Sequence, residues 1–140
     1  TDKSSLGEKL IAKILDSYGI KYFHDSPVEG LRGVKNGELR FDFIIPFDQS
    51  VDEISKVKQN EYCVIEYNGI FHFYIIEGKT SVSTISKQQM NDLVKDDFCR
   101  EKGIDILWIS YYNSNKSMKV AVVDFLFKHC RAIHNVVFNE

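Results

Sequence analysis

The chain has 140 residues, and its 44 % hydrophobic and 13 % aromatic content is sufficient for one folded domain with one core. No stretch approaches the roughly 20 apolar residues that a membrane span requires, and no secretory signal is visible. A net charge of −2 argues against a protein that binds nucleic acid through overall charge alone, although it is compatible with a catalytic domain.

The cysteines of the chain, Cys63, Cys99 and Cys130, are odd in number and lie far apart. No pair has the spacing of zinc ligands, so we predict free thiols in a reducing, cytoplasmic compartment. The first residue is Thr rather than Met, which favours a piece of a longer protein or a processed chain. We expect residues 1–140 to form a single domain.

The first 60 residues are predicted to contain one helix and two strands. Apolar residues at helical spacing indicate the helix, which Gly19 ends, and Pro46 ends the longer strand. Alternation along that strand places Phe41 and Phe43 on one face and Asp42 on the other. The predicted elements are, in order, a helix, a short strand, a loop, a strand and a turn or short helix: 4–18, 20–23, 25–37, 39–45 and 48–59.

The rest of the chain is predicted to contain a hairpin, two helices and one further strand. Asn68-Gly69 is a strong hairpin signal, and Ser83 or Ser86 is a suitable cap for the next helix. The apolar strand that follows this helix is expected to be central and buried on both faces. The buried stripe of the helix is expected to hold Met90, Leu93, Val94 and Phe98. The predicted ranges are 62–67 and 70–76 for the hairpin, 86–102 for the helix, 104–111 for the strand and 117–131 for the last helix.

This order of elements predicts an α/β fold with one mixed sheet flanked by helices. The strand after the second helix is expected to join the earlier, mostly antiparallel strands through a crossover connection.

Two of the predicted strands each carry one acid inside an apolar run. Asp42 lies within Phe41-Asp42-Phe43-Ile44-Ile45-Pro46, and Glu66 follows Val64-Ile65. A buried carboxylate is costly without a partner, and Mg²⁺ prefers carboxylate oxygens. The pair therefore predicts a divalent-cation site, with an ion pair to Arg40 or a lysine as the alternative.

Three further residues are candidates for the same site. Glu8 completes the capping-box pattern of Ser5-Leu6-Gly7-Glu8, but it also lies at the edge of the apolar stripe, where it could face the sheet. His72 is either an ordinary hydrogen-bonded histidine or a group that orients water. Lys95 falls among polar residues on the helical wheel, where a solvated lysine paired with Asp92 is the simpler interpretation.

Taken together, these segments resemble the PD-(D/E)xK nuclease superfamily. The closest resemblance is to phage and mobile-element homing endonucleases related to very-short-patch repair enzymes, and it spans most of the chain, from the first helix to Tyr111. The segments that carry it are Phe41-Asp42-Phe43-Ile44-Ile45-Pro46, Ile65-Glu66-Tyr67-Asn68-Gly69-Ile70-Phe71-His72, Asp92-Leu93-Val94-Lys95, Phe98-Cys99 and Gly103-Ile104.

The resemblance implies a single catalytic domain with a restriction-endonuclease-like mixed β-sheet flanked by helices. It implies that Asp42, Glu66 and Glu8 converge around Mg²⁺ or Mn²⁺, and that His72 and Lys95 activate water or stabilise the phosphate. The implied activity is endonucleolytic hydrolysis of DNA, most simply double-stranded DNA, in a bacterial or phage-infected cell. A homodimer or an attached DNA-binding domain would supply sequence specificity.

The sequence departs from the superfamily pattern at two positions. Asn68 stands where the superfamily has lysine, so the resemblance implies that His72 or Lys95 supplies the positive charge. Phe71 stands where the closer relatives have glutamine.

Two other functions stay open at the level of the sequence. The absence of lysine at position 68 and the acidic pI of 6.1 favour a catalytically impaired nuclease-fold module for DNA binding or protein assembly. A structure-specific or RNA-directed nuclease would use the same residues as a DNA endonuclease.

Overall fold

The computed structural model describes residues 5–69 and 82–130, except for the side chains of 82–86. Its helices α1, α2 and α3 are Leu6–Ser17, Val82–Lys102 and Asn115–His129. Its strands β1, β2, β3 and β4 are Phe23–Arg32, Glu38–Pro46, Tyr62–Asn68 and Ile106–Ser110, and a 3₁₀ turn spans Ile54–Lys56. Among the described helices, none is both long and apolar enough to cross a bilayer.

The described strands form one mixed sheet in the order β1-β2-β3-β4. The first three are antiparallel neighbours, and β4 runs parallel to β3, so α2 lies in the crossover between them. The predicted α/β class, mixed sheet and crossover are therefore confirmed. The predicted second strand of a hairpin, 70–76, lies outside the described residues.

Among the strands of residues 5–69 and 82–130, β4 is the last in the sheet order and pairs with β3 alone, so the described part of the sheet does not place it in the centre. It is apolar on both faces because helices cover both sides of the sheet. Ile109 packs in the cluster that includes α1 and α3, whereas Ile106 packs against the cluster that includes α2. A strand covered on both faces has the same composition at an edge as in the centre.

The residues between 25 and 37, predicted as a loop, mostly belong to β1. The strand contains features that are typical of loops: Asp25 has a φ of 51°, Gly30 has a φ of 87°, and the pairing with β2 shifts between Pro27 and Arg32. An antiparallel edge strand tolerates such irregularities because only one of its sides is paired. Its strand character therefore depends on pairing with β2, which its own composition does not reveal.

Helix α2 differs from its prediction in both length and orientation. It begins at Val82, so Ser83 and Ser86 lie within the helix rather than at its N-cap position. The predicted stripe is half right. Val94 and Phe98 pack against the sheet together with Cys99, whereas Met90 and Leu93 are 49 % and 58 % exposed.

Candidate metal and catalytic site

The backbones of β2 and β3 are connected through two acidic side chains where their regular pairing ends. The regular antiparallel pairing of β2 with β3 begins at Phe43, which lies opposite Ile65. Beyond it, the Tyr67 N–H donates to Oδ2 of Asp42 at 2.8 Å, and the Asp42 N–H donates to Oε2 of Glu66 at 3.2 Å. Each carboxylate thus accepts a bond from the opposite strand, which holds the two acids side by side.

The alternation of β2 reverses at Asp42. Phe41 and Ile44 pack on the α2 side of the sheet, whereas Phe43 packs on the side of α1 and α3. The prediction that Phe41 and Phe43 share a face is therefore wrong. On β1, His24 pairs with Phe43 and Ser26 pairs with Phe41, so Asp25 lies opposite the reversal. Asp25 has a left-handed backbone conformation, which residues other than glycine adopt infrequently.

Lys95 joins this carboxylate pair from α2. Its Nζ lies 2.8 Å from Oε1 of Glu66, and its side chain is only 14 % exposed. The expectation that Lys95 is solvated is wrong, because the helix turns this residue toward the sheet. Arg40, the other cation considered as a partner, binds Glu38 and the carbonyl oxygen of Asp25 instead.

The charges in this cluster do not balance. Burial raises the pKa of Glu66 well above its ordinary value of 4.5, the adjacent Asp42 carboxylate adds to the rise, and Lys95 offsets only part of it. Burial is the largest single influence on the pKa of Lys95 and lowers it, but the Glu66, Asp42 and Asp92 carboxylates together outweigh burial, so the pKa is raised and the ammonium stays charged. Two carboxylates therefore share one buried cation.

The donor set fits a hard divalent cation. Oε1 of Glu66 is fully buried, and although Lys95 is in ion-pair range, this oxygen has no well-aligned hydrogen bond. Asp42 offers a second carboxylate beside it, and both acids would gain from further positive charge. Within residues 5–69 and 82–130, however, no group of three or more His, Cys, Asp or Glu side chains is arranged to hold a metal ion. Water or substrate oxygens would have to complete the coordination, as is common for Mg²⁺.

Glu8 does not join Asp42 and Glu66. Its Oε2 accepts from the Ser5 N–H at 3.2 Å, and its own N–H donates to the Ser5 hydroxyl, which confirms the capping box. Its Oε1 lies 3.3 Å from Nε2 of His24. The predicted convergence of three carboxylates is thus found for Asp42 and Glu66 and not for Glu8.

The other predicted site positions can be placed only in part. His72 lies outside the described residues, as does Phe71. Asn68 is half-buried at the end of β3, where its carbonyl oxygen accepts from the Tyr111 N–H at 3.0 Å. The positive charge next to Glu66 comes from α2 rather than from this position.

Sequence reasoning missed two residues next to the candidate site. Trp108 lies beside Glu66 in the β3–β4 register, and its indole N–H donates to Asp96 at 3.3 Å. His24 contacts Glu8 and packs its ring against Phe43 at 4.9 Å. No sequence signal pointed to Trp108, since its position depends on the parallel pairing, and His24 lay at the border of a predicted loop.

Comparison with known proteins gives no relative for this chain. No protein-family model matches it, and no curated protein and no solved structure matches it either.

Proposed function

We propose that this chain is a divalent-metal-dependent endonuclease that hydrolyses DNA phosphodiester bonds, of the homing-endonuclease or phage nuclease type with a restriction-endonuclease-like sheet. The observation that carries the proposal is the buried cluster of Asp42, Glu66 and Lys95, in which two carboxylates share one ammonium. Phosphodiester hydrolysis requires acids that hold a cation and a base or cation that stabilises charge on phosphate. All three residues belong to the segments that carry the sequence resemblance.

The residues of the cluster would take separate roles. Asp42 and Glu66 would hold Mg²⁺ or Mn²⁺, which when bound supplies Lewis-acid stabilisation and a more acidic water. Lys95 orients the Glu66 carboxylate and presents its ammonium toward the negative charge of a phosphate. DNA as the substrate, and a homodimer or attached DNA-binding domain as the source of specificity, belong to this proposal.

Metal binding can be tested with the chain's only tryptophan. Trp108 lies beside Glu66 in the sheet, so excitation of its indole should sensitise the luminescence of bound Tb³⁺. We expect saturable luminescence that Mg²⁺ and Mn²⁺ reverse by competition. The signal should fall at least tenfold in Asp42→Asn and persist in Asp124→Asn, a matched change on an exposed acid of α3. An equal response in both variants would place the ion elsewhere.

Cleavage is the direct test of activity. Supercoiled plasmid with Mg²⁺ or Mn²⁺ should be nicked or linearised by the wild type and by Asp124→Asn. Cleavage should be lost in Asp42→Asn and Glu66→Gln, and reduced at least tenfold in Lys95→Met. Circular dichroism of each variant separates loss of activity from loss of folding. No cleavage by folded wild type, or equal cleavage by folded Asp42→Asn, would contradict the proposal.

The catalytically impaired module is the second candidate, and one observation favours it. Both oxygens of Glu66 already contact groups of the protein, Lys95 and the Asp42 N–H, so the cluster is partly closed without a metal. This candidate predicts DNA binding or assembly without Tb³⁺ luminescence and without cleavage. RNA and branched DNA in the same cleavage assay would identify the third candidate, a nuclease directed at those substrates.

A further inference from the structure

A cavity of about 550 Å³ lies on the α2 side of the sheet, and its lining includes residues of β2 and α2, the elements that carry Asp42 and Lys95. Its walls come from β1, β2, the 3₁₀ turn, the start of β3 and the end of α2. Two wall residues are close in sequence to residues of the cluster. Ile44 follows Asp42 by two positions, and Phe98 follows Lys95 by three. These spacings correspond to roughly 7 Å along a strand and 4.5 Å along a helix.

The floor of the cavity is apolar and aromatic. Ile44 and Tyr62 are 0 % and 5 % exposed, and the half-buried ring of Phe98 forms part of the wall. Flat rings bury well against such surfaces, and base–aromatic stacking contributes about 1–3 kcal/mol per base in single-strand binding proteins, a magnitude that any nucleobase can exploit.

The rim of the cavity is polar and carries both signs of charge. Lys102 lies at one side with its Nζ 5.2 Å from the centre of the Phe98 ring, and Glu29 lines the cavity as well. Ser55 and Gln59 add a hydroxyl and an amide. A purely hydrocarbon ligand would leave these groups without partners, whereas the edge of a nucleobase carries donors and acceptors for them.

We propose that this cavity binds one unpaired nucleotide of the nucleic-acid substrate. The base lies against Phe98 and Tyr62, the Glu29, Ser55 and Gln59 side chains contact its polar edge, and Lys102 contacts a phosphate oxygen. The site rests on the proposed nuclease function, because its walls include β2 and α2, the elements that also carry Asp42 and Lys95. The volume of the cavity lies within the range of small-molecule sites.

Mononucleotides test the cavity without a known recognition sequence. The ¹⁵N-labelled chain is titrated with 5′-dAMP, 5′-dCMP and inorganic phosphate, without metal, and the backbone amide shifts are followed. We expect saturable shifts at Gly30, Ser55 and Val57 with a mononucleotide, and at least tenfold weaker binding in Lys102→Glu. Lys119→Glu, a matched charge reversal on an exposed residue of α3, should bind as the wild type does.

The outcomes separate the cavity from the catalytic proposal. No shifts up to 10 mM nucleotide, about the weakest binding that such a titration can report, would overturn the nucleotide site. Equal shifts with inorganic phosphate, or equal binding by Lys102→Glu, would overturn it as well. Nucleotide binding that persists in Glu66→Gln, together with a wild type that cleaves nothing, would keep the site and overturn the nuclease. Cleavage by a wild type that does not bind nucleotide in the cavity would support the nuclease and overturn the nucleotide site.

Discussion

Glu66 is a carboxylate whose charge depends on its burial and on two neighbours, Asp42 and Lys95. It is 1 % exposed, it accepts from the Asp42 N–H, and it contacts Lys95. Because burial and Asp42 both raise its pKa, the metal-free folded protein holds a proton there at pH values where the unfolded chain does not. A bound cation would displace that proton, so metal binding and proton release should be coupled.

The first prediction concerns the stability of the metal-free protein as a function of pH. The raised pKa of Glu66 gives stability that is complete below its ordinary value of 4.5 and is lost as the pH rises through the folded-state pKa. The wild type should therefore lose stability relative to Glu66→Gln as the pH rises from 5 to 8. Urea unfolding in EDTA at both pH values measures this difference.

Mg²⁺ should have different consequences for the wild type and for Glu66→Gln: it should stabilise the first and leave the second unchanged. With Mg²⁺ at pH 8, the wild type should gain melting temperature and Glu66→Gln should not, because only the wild type keeps the carboxylate pair. Parallel pH dependence of the two proteins in EDTA would show that Glu66 is ionised throughout, contrary to the first prediction.

The second prediction concerns Lys95. Removing one partner of a buried ion pair leaves an uncompensated charge, so Lys95→Met should cost about 3 kcal/mol at pH 8 and less at pH 5, where Glu66 can take up a proton. Addition of Glu66→Gln should restore at least about 1 kcal/mol at pH 8. Urea unfolding of the two single variants and the double variant gives the coupling.

An exposed pair provides the control for this cycle. Lys56 and Asp52 form an i,i+4 pair in which the side chains are 58 % and 66 % exposed, so Lys56→Met should change stability by less than about 0.5 kcal/mol. Equal costs for Lys95→Met and Lys56→Met would contradict a buried, charge-sharing cluster.

At the scale of elements, α1 packs on β3 through a glycine. A Cβ at Gly7 would lie 2.1 Å from Cζ of Tyr67, so the helix backbone rests directly on the ring. Tyr67 is also the residue whose N–H binds Asp42, so this contact supports the strand at the candidate site.

The third prediction follows from this contact. Gly7→Ala should force α1 and Tyr67 apart and cost about 1–3 kcal/mol, despite the better helix propensity of alanine. Gly37→Ala is the matched control, because a Cβ there meets nothing within 4 Å. Thermal unfolding followed by circular dichroism compares them, and a stable Gly7→Ala protein would show that the helix can move away from the ring without cost.

Helices and strands could be predicted where the sequence pattern that specifies them lies within the element itself. The capping box of α1, the mixed sheet and the α2 crossover follow from residues close together in sequence, and all were predicted. Strand β1 was missed because Asp25 and Gly30 resemble loop residues until β2 pairs with them.

The candidate site was predictable to a similar extent. The acids Asp42 and Glu66 stood out because each interrupts an apolar run, and the structure brings them together. Lys95 is predicted to be solvated because the helical wheel places it away from the stripe of Met90, Val94 and Phe98, yet Met90 is exposed and Lys95 is buried. An amphipathic pattern cannot reveal a charged residue that is buried because its partner is buried on another element.

At the scale of the whole molecule, the sheet separates two apolar clusters. One lies between the sheet and α1 with α3, and the other lies between the sheet and α2. The thiols are distributed over both clusters, with Cys63 and Cys130 in the first and Cys99 in the second, and each is at most 1 % exposed.

The fourth prediction uses these thiols to report on both clusters. Burial, together with the nearby Glu66, raises the pKa of Cys99 to about 12, and burial also raises the pKa of Cys63. A thiol reagent such as DTNB should therefore label none of the three in the native protein at pH 8 and all three after unfolding. If the domain unfolds as a unit, the three sites should react with one rate constant. Faster labelling of Cys99 alone would show that the α2 layer opens by itself.

Because the alternation of β2 reverses at Asp42, the position of this carboxylate depends on the number of residues on each side of it in the strand. The residues before and after Asp42 follow opposite in-and-out phases, so β2 is in effect two half-strands that meet at the carboxylate. An insertion or deletion of one residue on either side would move a whole half-strand from one apolar cluster to the other. A change of length in β2 would thus displace several side chains at once, so any functional variant of this chain should keep a single residue between Phe41 and Phe43.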